Sequence, residues 1–289
     1  MATQAPINLN PEACQRLEQA LNERMASGNI QLPLLPRVAT QILALVNDPN
    51  SDAATFAGLI HKDQALAAHV LRIANSPAYM PRVPIVSLQH AVSMLGINLL
   101  SEIAFTVSLK AGTFQAPGFE KDLEAMWWHA VASGAYAKEV AKLKRTNLES
   151  AYICGLLHAI GRPVVLNTAI KLAKELNVQA DPCFMFKLVS DYHVQVGDLM
   201  GEQWALPKQV RESIFYYQNY EQAPNFKQEV MIATVAHRFA SFILGQGEMS
   251  VETLYDHPAF ADLNLYPKDL AALVAAQDMV RNVVSSMSL

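Results

Sequence analysis

Apolar residues recur along most of this chain at the spacing of an α-helix, and this periodicity limits the possible folds more than any other feature of the sequence. Val38, Ile42, Leu45 and Val46 follow the i, i+4, i+7, i+8 pattern that places side chains on one face of a helix. Segments in which apolar and polar residues alternate, as they do in strands, are lacking, and glycine is scarce at 12 of 289 residues. The sequence therefore predicts an all-α protein. A second one-sided stripe near the other end supports this, with Leu270, Leu273, Val274, Gln277, Val280 and Val284.

Capping residues and turns divide the pattern into many helices. A first helix is predicted over residues 11–25, and a turn over 48–51. Asp63 and Ser87 are predicted N-caps because such side chains accept hydrogen bonds from first-turn N–H groups, and Gly96 is predicted to end the helix that Ser87 begins. Longer helical segments follow over residues 122–144, 148–159, 163–176, 183–203, 207–219, 227–244 and 267–287.

The segment GTFQAPGF, residues 112–119, contains two glycines and one proline, which favour a loop over a helix. We therefore predict an N-terminal lobe of residues 1–112, a connector of residues 113–118, and a C-terminal lobe of residues 119–289. A connector of this composition is also a plausible hinge between two helical units.

The charge of the chain argues against nucleic acid as a partner. The formal net charge is −4, whereas nucleic-acid binders usually carry a basic stripe. The one compact basic group is Lys138, Lys142, Lys144 and Arg145, at the end of a predicted helix. Cations there complement the helix dipole, so we interpret this group as a solvated face.

The cysteines and the N-terminus favour a cytoplasmic protein. Cys14, Cys154 and Cys183 are odd in number and far apart, which is typical of reduced thiols rather than of a disulfide framework. The first residues, MATQAPINLNPEA, lack the basic and apolar regions of a signal peptide. No apolar run is expected to reach the roughly 18 residues that a membrane span requires, so no membrane insertion is predicted.

Four histidines lie in apolar helical contexts in the second half of the chain: His129 in MWWHAVA, His158 in GLLHAIG, His193 in DYHVQVG and His237 in TVAHRFA. Imidazole is a common metal ligand, and a buried imidazole needs a partner. A single histidine of this kind is usually a hydrogen-bonded core residue. Four on separate helices raise the hypothesis of a metal site.

The chain resembles the HDOD family in several segments that occur in the same order. In the N-terminal lobe these are LPLLPRVATQILALVNDPNSD, KDQALAAHVLRIANSPAY and VSLQHAVSMLGINLL. In the C-terminal lobe they are WWHAVASGAYAKEVA, AYICGLLHAIGRPVV and HVQVGDLMGEQWALPKQVRESI. The resemblance covers about residues 30 to 245. It implies a C-terminal bundle similar to the HD metal-dependent phosphohydrolases.

Active HD phosphohydrolases bind divalent metals through a first histidine, a His-Asp pair and a later aspartate. The resemblance assigns His129 to the first histidine and His158 to the pair, but Ala159 replaces the aspartate of that pair. The later aspartate falls at His237. His193 matches a further family histidine. Two tyrosines replace the paired histidines that often follow, namely Tyr216 and Tyr217.

These replacements leave neutral ligands only. Such a set disfavours Mg²⁺ and Mn²⁺, which bind oxygen donors, and best suits Zn²⁺, Ni²⁺ or Fe²⁺. It also lacks the anionic field that organises a metal-bound hydroxide. Two interpretations stay open: the histidines are hydrogen-bonded relics with no cofactor, or some of them hold a residual divalent transition metal.

The resemblance also draws attention to the RxxNS segment that contains Arg72 and Asn75. One interpretation is structural, in which Asn75 ends its helix and Arg72 pairs with a carboxylate or a carbonyl. The other makes Arg72 and Asn75 a binding surface for a ligand or a partner.

The function that the resemblance implies is a non-catalytic regulatory role in bacterial-type signal transduction, through protein partners acting in trans, with or without a nucleotide ligand. Because the scaffold is intact while the catalytic positions depart from the HD pattern, we predict that the functional region is the surface between the lobes and not the histidine pocket. The alternatives are a metal-dependent phosphohydrolase acting on a nucleotide or cyclic nucleotide, and a small-molecule sensor. Motifs for other chemistry, such as GxSxG or a P-loop, are absent from the sequence.

Overall fold

A computed structural model describes the protein over residues 11–46, 53–81, 83–110, 114–179, 181–246 and 250–287. Within these ranges every regular element is a helix, which confirms the all-α prediction. The first six helices are α1 (Pro11–Ala26), α2 (Arg37–Val46), α3 (Ala53–Ile60), α4 (Gln64–Ala74), α5 (Leu88–Leu95) and α6 (Ile97–Lys110).

The C-terminal lobe contains longer helices and one short 3₁₀ turn over Tyr220–Gln222. The α-helices are α7 (Glu120–Lys144), α8 (Leu148–Leu157), α9 (Gly161–Glu175), α10 (Pro182–Gln203), α11 (Lys208–Tyr216), α12 (Lys227–Ile243), α13 (Val251–Tyr255), α14 (Pro258–Asp262), α15 (Pro267–Ala275) and α16 (Gln277–Met287).

The predicted caps that lie in the described residues are confirmed. Asp63 accepts a hydrogen bond from the N–H of Leu66 at 3.0 Å, and Ser87 accepts one from the N–H of His90 at 3.1 Å. Gly96 has a positive φ of 83°, which explains why a glycine ends α5. The predicted turn over residues 48–51 lies outside the described residues.

The prediction of one helix over residues 267–287 was wrong, because α15 ends at Ala275 and α16 begins at Gln277. The two helices pack on different surfaces: α15 contacts α7, whereas α16 contacts both α6 and α7. Ala276 separates them with φ −72° and ψ −5°. The short helices α13 and α14 were not predicted, although Ser250 forms a capping box with Thr253 and Pro258 begins α14.

Helix α6 contacts helices from both predicted lobes. It packs against α2, α3, α4 and α5, and it also contacts α8 and α16 of the C-terminal lobe. Every residue from Leu100 to Leu109 is buried. A helix that is buried around its whole circumference belongs to the interior of a protein.

A buried ion pair connects α6 to α7. The carboxylate of Glu102, 7% exposed, accepts hydrogen bonds from Lys138 Nζ at 2.9 and 2.7 Å. Burial raises the pKa of Glu102 to about 6, while the charge of Lys138 acts in the opposite direction. The interpretation of Lys138 as part of a solvated face was therefore wrong, since its ammonium group is drawn inward by this carboxylate.

Helix α1 packs against α9 and α10 of the C-terminal lobe. Ion pairs between Arg24 and Glu175, and between Lys187 and Glu18, accompany this contact. The first helix thus crosses the predicted division of the chain at residue 112. Residues 112 and 113 of the proposed boundary lie outside the described residues, and the three-part division remains a prediction.

One described segment is apolar and long enough to cross a membrane by length and composition alone. Its 18-residue window within Leu148–Glu175 has a mean hydropathy of 1.4, contrary to the expectation that no segment would reach this length. The segment is divided between α8 and α9, and 72% of the window is buried inside the protein. That burial is what a core segment shows, and the prediction of no membrane insertion is kept as a prediction.

Candidate functional site

Three of the four predicted histidines meet in the C-terminal lobe. His129 projects from α7, His158 lies directly after α8, and His237 projects from α12. We call these three residues the histidine triad. His129 and His158 are buried at 3% and 1% exposure, and His237 is half-buried.

The ring nitrogens of the histidine triad converge. His237 Nδ1 lies 2.8 Å from His129 Nε2 and 3.0 Å from His158 Nε2. One nitrogen from each ring lies within 4.8 Å of the other two. Three nitrogen donors therefore share one small volume.

Hydrogen bonds on the far side of two rings fix which nitrogens carry protons. His158 Nδ1 lies 2.7 Å from the carbonyl oxygen of Gly155, and His129 Nδ1 lies 2.7 Å from Gln246 Oε1. Both oxygens accept, so both Nδ1 atoms donate and the two Nε2 atoms point lone pairs at His237. This outer contact is the kind that orients metal-ligating histidines.

The histidine triad is neutral at pH 7. Burial lowers the pKa of His129 to about 3, and the charge of Arg162 lowers it further against a raising effect of Gln246. The pKa values of His158 and His237 lie well below the ordinary value, because burial and the neighbouring histidines both disfavour the imidazolium form.

The histidine triad fits a transition metal better than a hard cation. Neutral imidazoles suit Zn²⁺, Ni²⁺ and Fe²⁺, whereas Mg²⁺ and Mn²⁺ prefer oxygen ligands. Among the residues that the structure describes, no carboxylate or thiolate joins this group of donors. A cation here would take the place of the proton that His237 Nδ1 shares with its two neighbours.

The prediction that His193 belongs to the same ligand set was wrong for the described geometry. His193 Nε2 lies 2.7 Å from the hydroxyl of Tyr217, and its Nδ1 lies 2.9 Å from two backbone carbonyls of α10. The ring of Tyr217 packs against His158 and His237 with centroid distances of 4.6 and 5.1 Å. Tyr217 therefore lies between His193 and the histidine triad. Its hydroxyl contacts Nε2 of His193, and the backbone carbonyls contact Nδ1, so both nitrogens of His193 have partners.

Two glycines allow the helices to approach closely enough for this arrangement. A Cβ atom on Gly161 would lie 2.0 Å from the carbonyl oxygen of His193, and one on Gly155 would lie 2.5 Å from that of Ser133. Any side chain at either position would separate the backbones. Gly155 thus fits α8 against α7, and Gly161 fits α9 against α10.

Arg162 and Gln246 are site residues that sequence reasoning missed, and it assigned no role in the site to Tyr217. Arg162 Nη2 lies 3.4 Å from the hydroxyl of Tyr217, and its charge lowers the pKa of all four histidines. Tyr217 was noticed as a replacement for a family histidine, and Arg162 lies within the quoted HAIGR segment. Gln246 follows α12 in a loop and carries no sequence signal.

A pocket of about 330 Å³ opens beside the histidine triad, where the two predicted lobes meet. We call it the junction pocket. Residues of α6, of the connector, of α7 and of the turn into α9 line it, and His129, Ala159 and Arg162 are among them. From the sequence we predicted that the surface between the lobes, and not the histidine pocket, is the functional region. The two are not separate, because His129 belongs to both.

The hydrogen bonds of Asn75 support the structural interpretation of that residue. Its Nδ2 donates to the carbonyls of Leu71 and Ile85 at 2.8 Å each, and its Oδ1 accepts from the N–H of Ile85 at 2.8 Å. The side chain therefore closes the loop after α4. Arg72 is exposed, and its charge acts on Lys110 at the junction pocket, so a binding role for Arg72 stays a prediction.

A family model of the HDOD domain matches residues 32–220, which is more than half of the chain, and the chain belongs to the HDOD family. An "uncharacterized protein" of Treponema pallidum (strain Nichols) is 27% identical over 233 residues, which cover 77% of this chain and 44% of that protein. The chain thus spans less than half the length of this curated relative.

Solved structures of similar proteins share the fold. An HDOD domain protein of unknown function from Geobacter sulfurreducens is 25% identical, with a TM-score of 0.73 over 94% of this chain and 97% of that one. A "putative signal transduction protein" of Marinobacter aquaeolei VT8 is 23% identical, with a TM-score of 0.66 over 98% and 68% of the two chains. A "putative metal-dependent phosphohydrolase" of Shewanella amazonensis SB2B is 20% identical, with a TM-score of 0.70 over 96% and 99%. These names span both functions that the sequence left open.

Proposed function

We propose that this HDOD protein acts by binding, as a regulatory component of signal transduction, and does not hydrolyse phosphodiesters. The observation that carries the proposal is the composition of the histidine triad. Its described donors are three neutral imidazoles, and the charge that acts on all three is the cation of Arg162. A phosphohydrolase centre needs anionic ligands that hold divalent ions and organise a hydroxide, and the replacements at Ala159 and His237 remove both. Protein partners in the cytoplasm, with or without a nucleotide ligand, are part of this proposal.

The test is a hydrolysis assay on bis(p-nitrophenyl) phosphate and on cyclic dinucleotides, each with Mg²⁺, Mn²⁺ or Fe²⁺. We expect no turnover approaching the range of about 1 to 1,000 per second that is typical of enzymes. Metal-dependent turnover in that range that disappears in His158→Ala, with folding intact, would overturn the proposal. It would establish instead the second candidate, a phosphohydrolase, which the convergence of three nitrogen donors favours.

We further propose that the histidine triad is a reversible site for one transition-metal ion, held by His129, His158 and His237. Such an ion would act as a Lewis acid if substrate reached it. Zn²⁺ is expected to stabilise the metal-free protein by about 2.7 kcal/mol at a concentration of 100 times Kd, and Mg²⁺ is expected to have no effect. Thermal melts with each ion, reversed by a chelator, measure this difference.

His158→Ala should abolish the effect of Zn²⁺, and His193→Gln should retain it because His193 lies outside the histidine triad. Equal loss in the two variants, or no stabilisation of the wild type by Zn²⁺, would contradict the site.

A further inference from the structure

We propose that the junction pocket binds a small amphipathic anion, an apolar molecule whose single anionic group lies against Arg162. This inference rests on the proposed binding function and names its ligand class.

The walls of the junction pocket are mainly apolar. They come from α6, the connector, α7 and the region of residues 156–160, so both predicted lobes contribute. A volume of about 330 Å³ is at the lower end of the range of roughly 300–1,000 Å³ typical of small-molecule sites. An apolar body gains free energy by leaving water for such a surface. The principal apolar residues are Leu109, Phe114, Met126, Trp127, Leu157 and Ile160.

Arg162 is a half-buried cation in the lining of this pocket. Within the described residues its guanidinium makes no ion pair, and its hydrogen-bond partner is the neutral hydroxyl of Tyr217 at 3.4 Å. His129, which also lines the pocket, is neutral. A partly buried charge loses part of its hydration, and one long hydrogen bond to a neutral hydroxyl replaces little of it. An anionic group on a ligand supplies the missing partner.

The charges at the rim of the pocket do not replace this partner. Glu120 and Glu124 are exposed there, and two lysines accompany them, Lys110 and Lys121. The two signs are balanced at the rim, where solvent screens them. Arg162 remains as a half-buried cation without an ion pair among the described residues, so the anionic group of a ligand is expected to lie against it.

Two neighbouring residues fit the same ligand. Ala159 lines the pocket where the HD pattern has an aspartate, and its methyl group leaves both the space and the charge of Arg162 available. The indole Nε1 of Trp127 is buried without a hydrogen-bond partner among the described residues. An acceptor atom on a ligand is one way to satisfy that donor.

The experiment titrates the full chain, treated with a chelator, with decanoate, decyl phosphate and decanol by calorimetry and tryptophan fluorescence. The three probes share one alkyl chain and differ in the head group. We expect at least one of the two anionic probes to bind about tenfold or more tightly than decanol, and the better of them identifies the head group. Equal binding of all three probes, or binding of none, would overturn the inference.

Variants locate the site. Arg162→Gln is expected to weaken the anionic probe about tenfold or more while decanol is unchanged, and Arg162→Lys is expected to restore most of the affinity. Ala159→Asp should weaken the anionic probe as well, because it places a carboxylate in the same pocket. Lys171→Gln is the matched control, since Lys171 is an exposed cation of α9 outside the pocket, and it should change nothing.

Circular dichroism and melting temperature show that each variant folds. Preference for the anion that survives Arg162→Gln would overturn the inference. Failure of this inference can be distinguished from failure of the proposed function. If no probe binds and no hydrolysis is seen, the ligand class is wrong and the proposed binding role stands. If metal-dependent hydrolysis is seen, the binding role fails whatever the probes do.

Discussion

Gly161→Ala is expected to destabilise the protein by about 3 kcal/mol or more, the upper part of the usual range for overpacking. The added Cβ would lie 2.0 Å from the carbonyl oxygen of His193 and 2.6 Å from the backbone nitrogen of Gly197. Both atoms belong to the backbone of α10 and cannot rotate away, so α9 must move. For a chain of this size, 3 kcal/mol corresponds to a fall in melting temperature of roughly 5 °C. Urea unfolding and calorimetry measure both quantities.

Gly58→Ala is the matched control. Gly58 is exposed in α3, and a Cβ atom there would meet nothing within 4 Å. Since alanine is favoured over glycine inside a helix, we expect this change to stabilise the protein by roughly 0.5–1 kcal/mol. If the two variants had equal stability, the close approach of α9 and α10 would be disproved.

Stability is expected to fall steeply with pH below neutrality in metal-free protein. Burial lowers the folded pKa of His129 to about 3 and that of His193 to about 4, and the pKa values of His158 and His237 are also well below the ordinary value. As pH falls through the unfolded value of about 6.5, the unfolded chain binds protons that the folded protein does not bind. Between about pH 7.5 and pH 5.5 each histidine therefore removes about 1.4 kcal/mol of stability, roughly 5 kcal/mol for the four.

Glu102 opposes this trend. Its folded pKa is raised to about 6, so the folded protein binds this proton first and gains stability as pH falls from about 6 to 4.5. Between about pH 7.5 and pH 5.5 that gain offsets about 1 kcal/mol of the stability that the histidines remove. Urea unfolding at the two pH values gives the net effect.

His193→Gln removes one of the titrating groups while keeping a side chain that can bond to Tyr217. The loss of stability between the two pH values should then be smaller by about 1.4 kcal/mol. A free energy of unfolding that does not change between about pH 7.5 and pH 5.5 would contradict the neutral histidines.

Local sequence was sufficient to predict the fold class and most helices. The caps at Asp63 and Ser87 act within one turn, so their signal is complete in the sequence. The break at Ala276 lacked such a signal, because no proline or glycine marks it. It coincides with a change of packing partners, since α16 contacts α6 as well as α7.

The site was predicted in part. The apolar helical contexts and the resemblance to the HD pattern pointed to His129, His158 and His237, but which ring nitrogens face one another depends on how three helices pack. The assignment of His193 failed because Tyr217 comes between, and the sequence could not reveal that contact. Gln246 and Arg162 were missed for the same reason, since each acts across distant elements.

The contact between Lys110 and the carbonyl oxygen of Met287 has a consequence for the order of events during synthesis. Lys110 lines the junction pocket, and its Nζ donates to that oxygen at 3.2 Å across 177 residues of sequence. A ribosome that adds about 5–20 residues per second needs roughly 10–35 s to make the intervening chain. Throughout that interval the nascent α6 lacks α16 as a neighbour and exposes the apolar surface that α16 covers. A chaperone that shields α6 is therefore most effective before α16 has been synthesised.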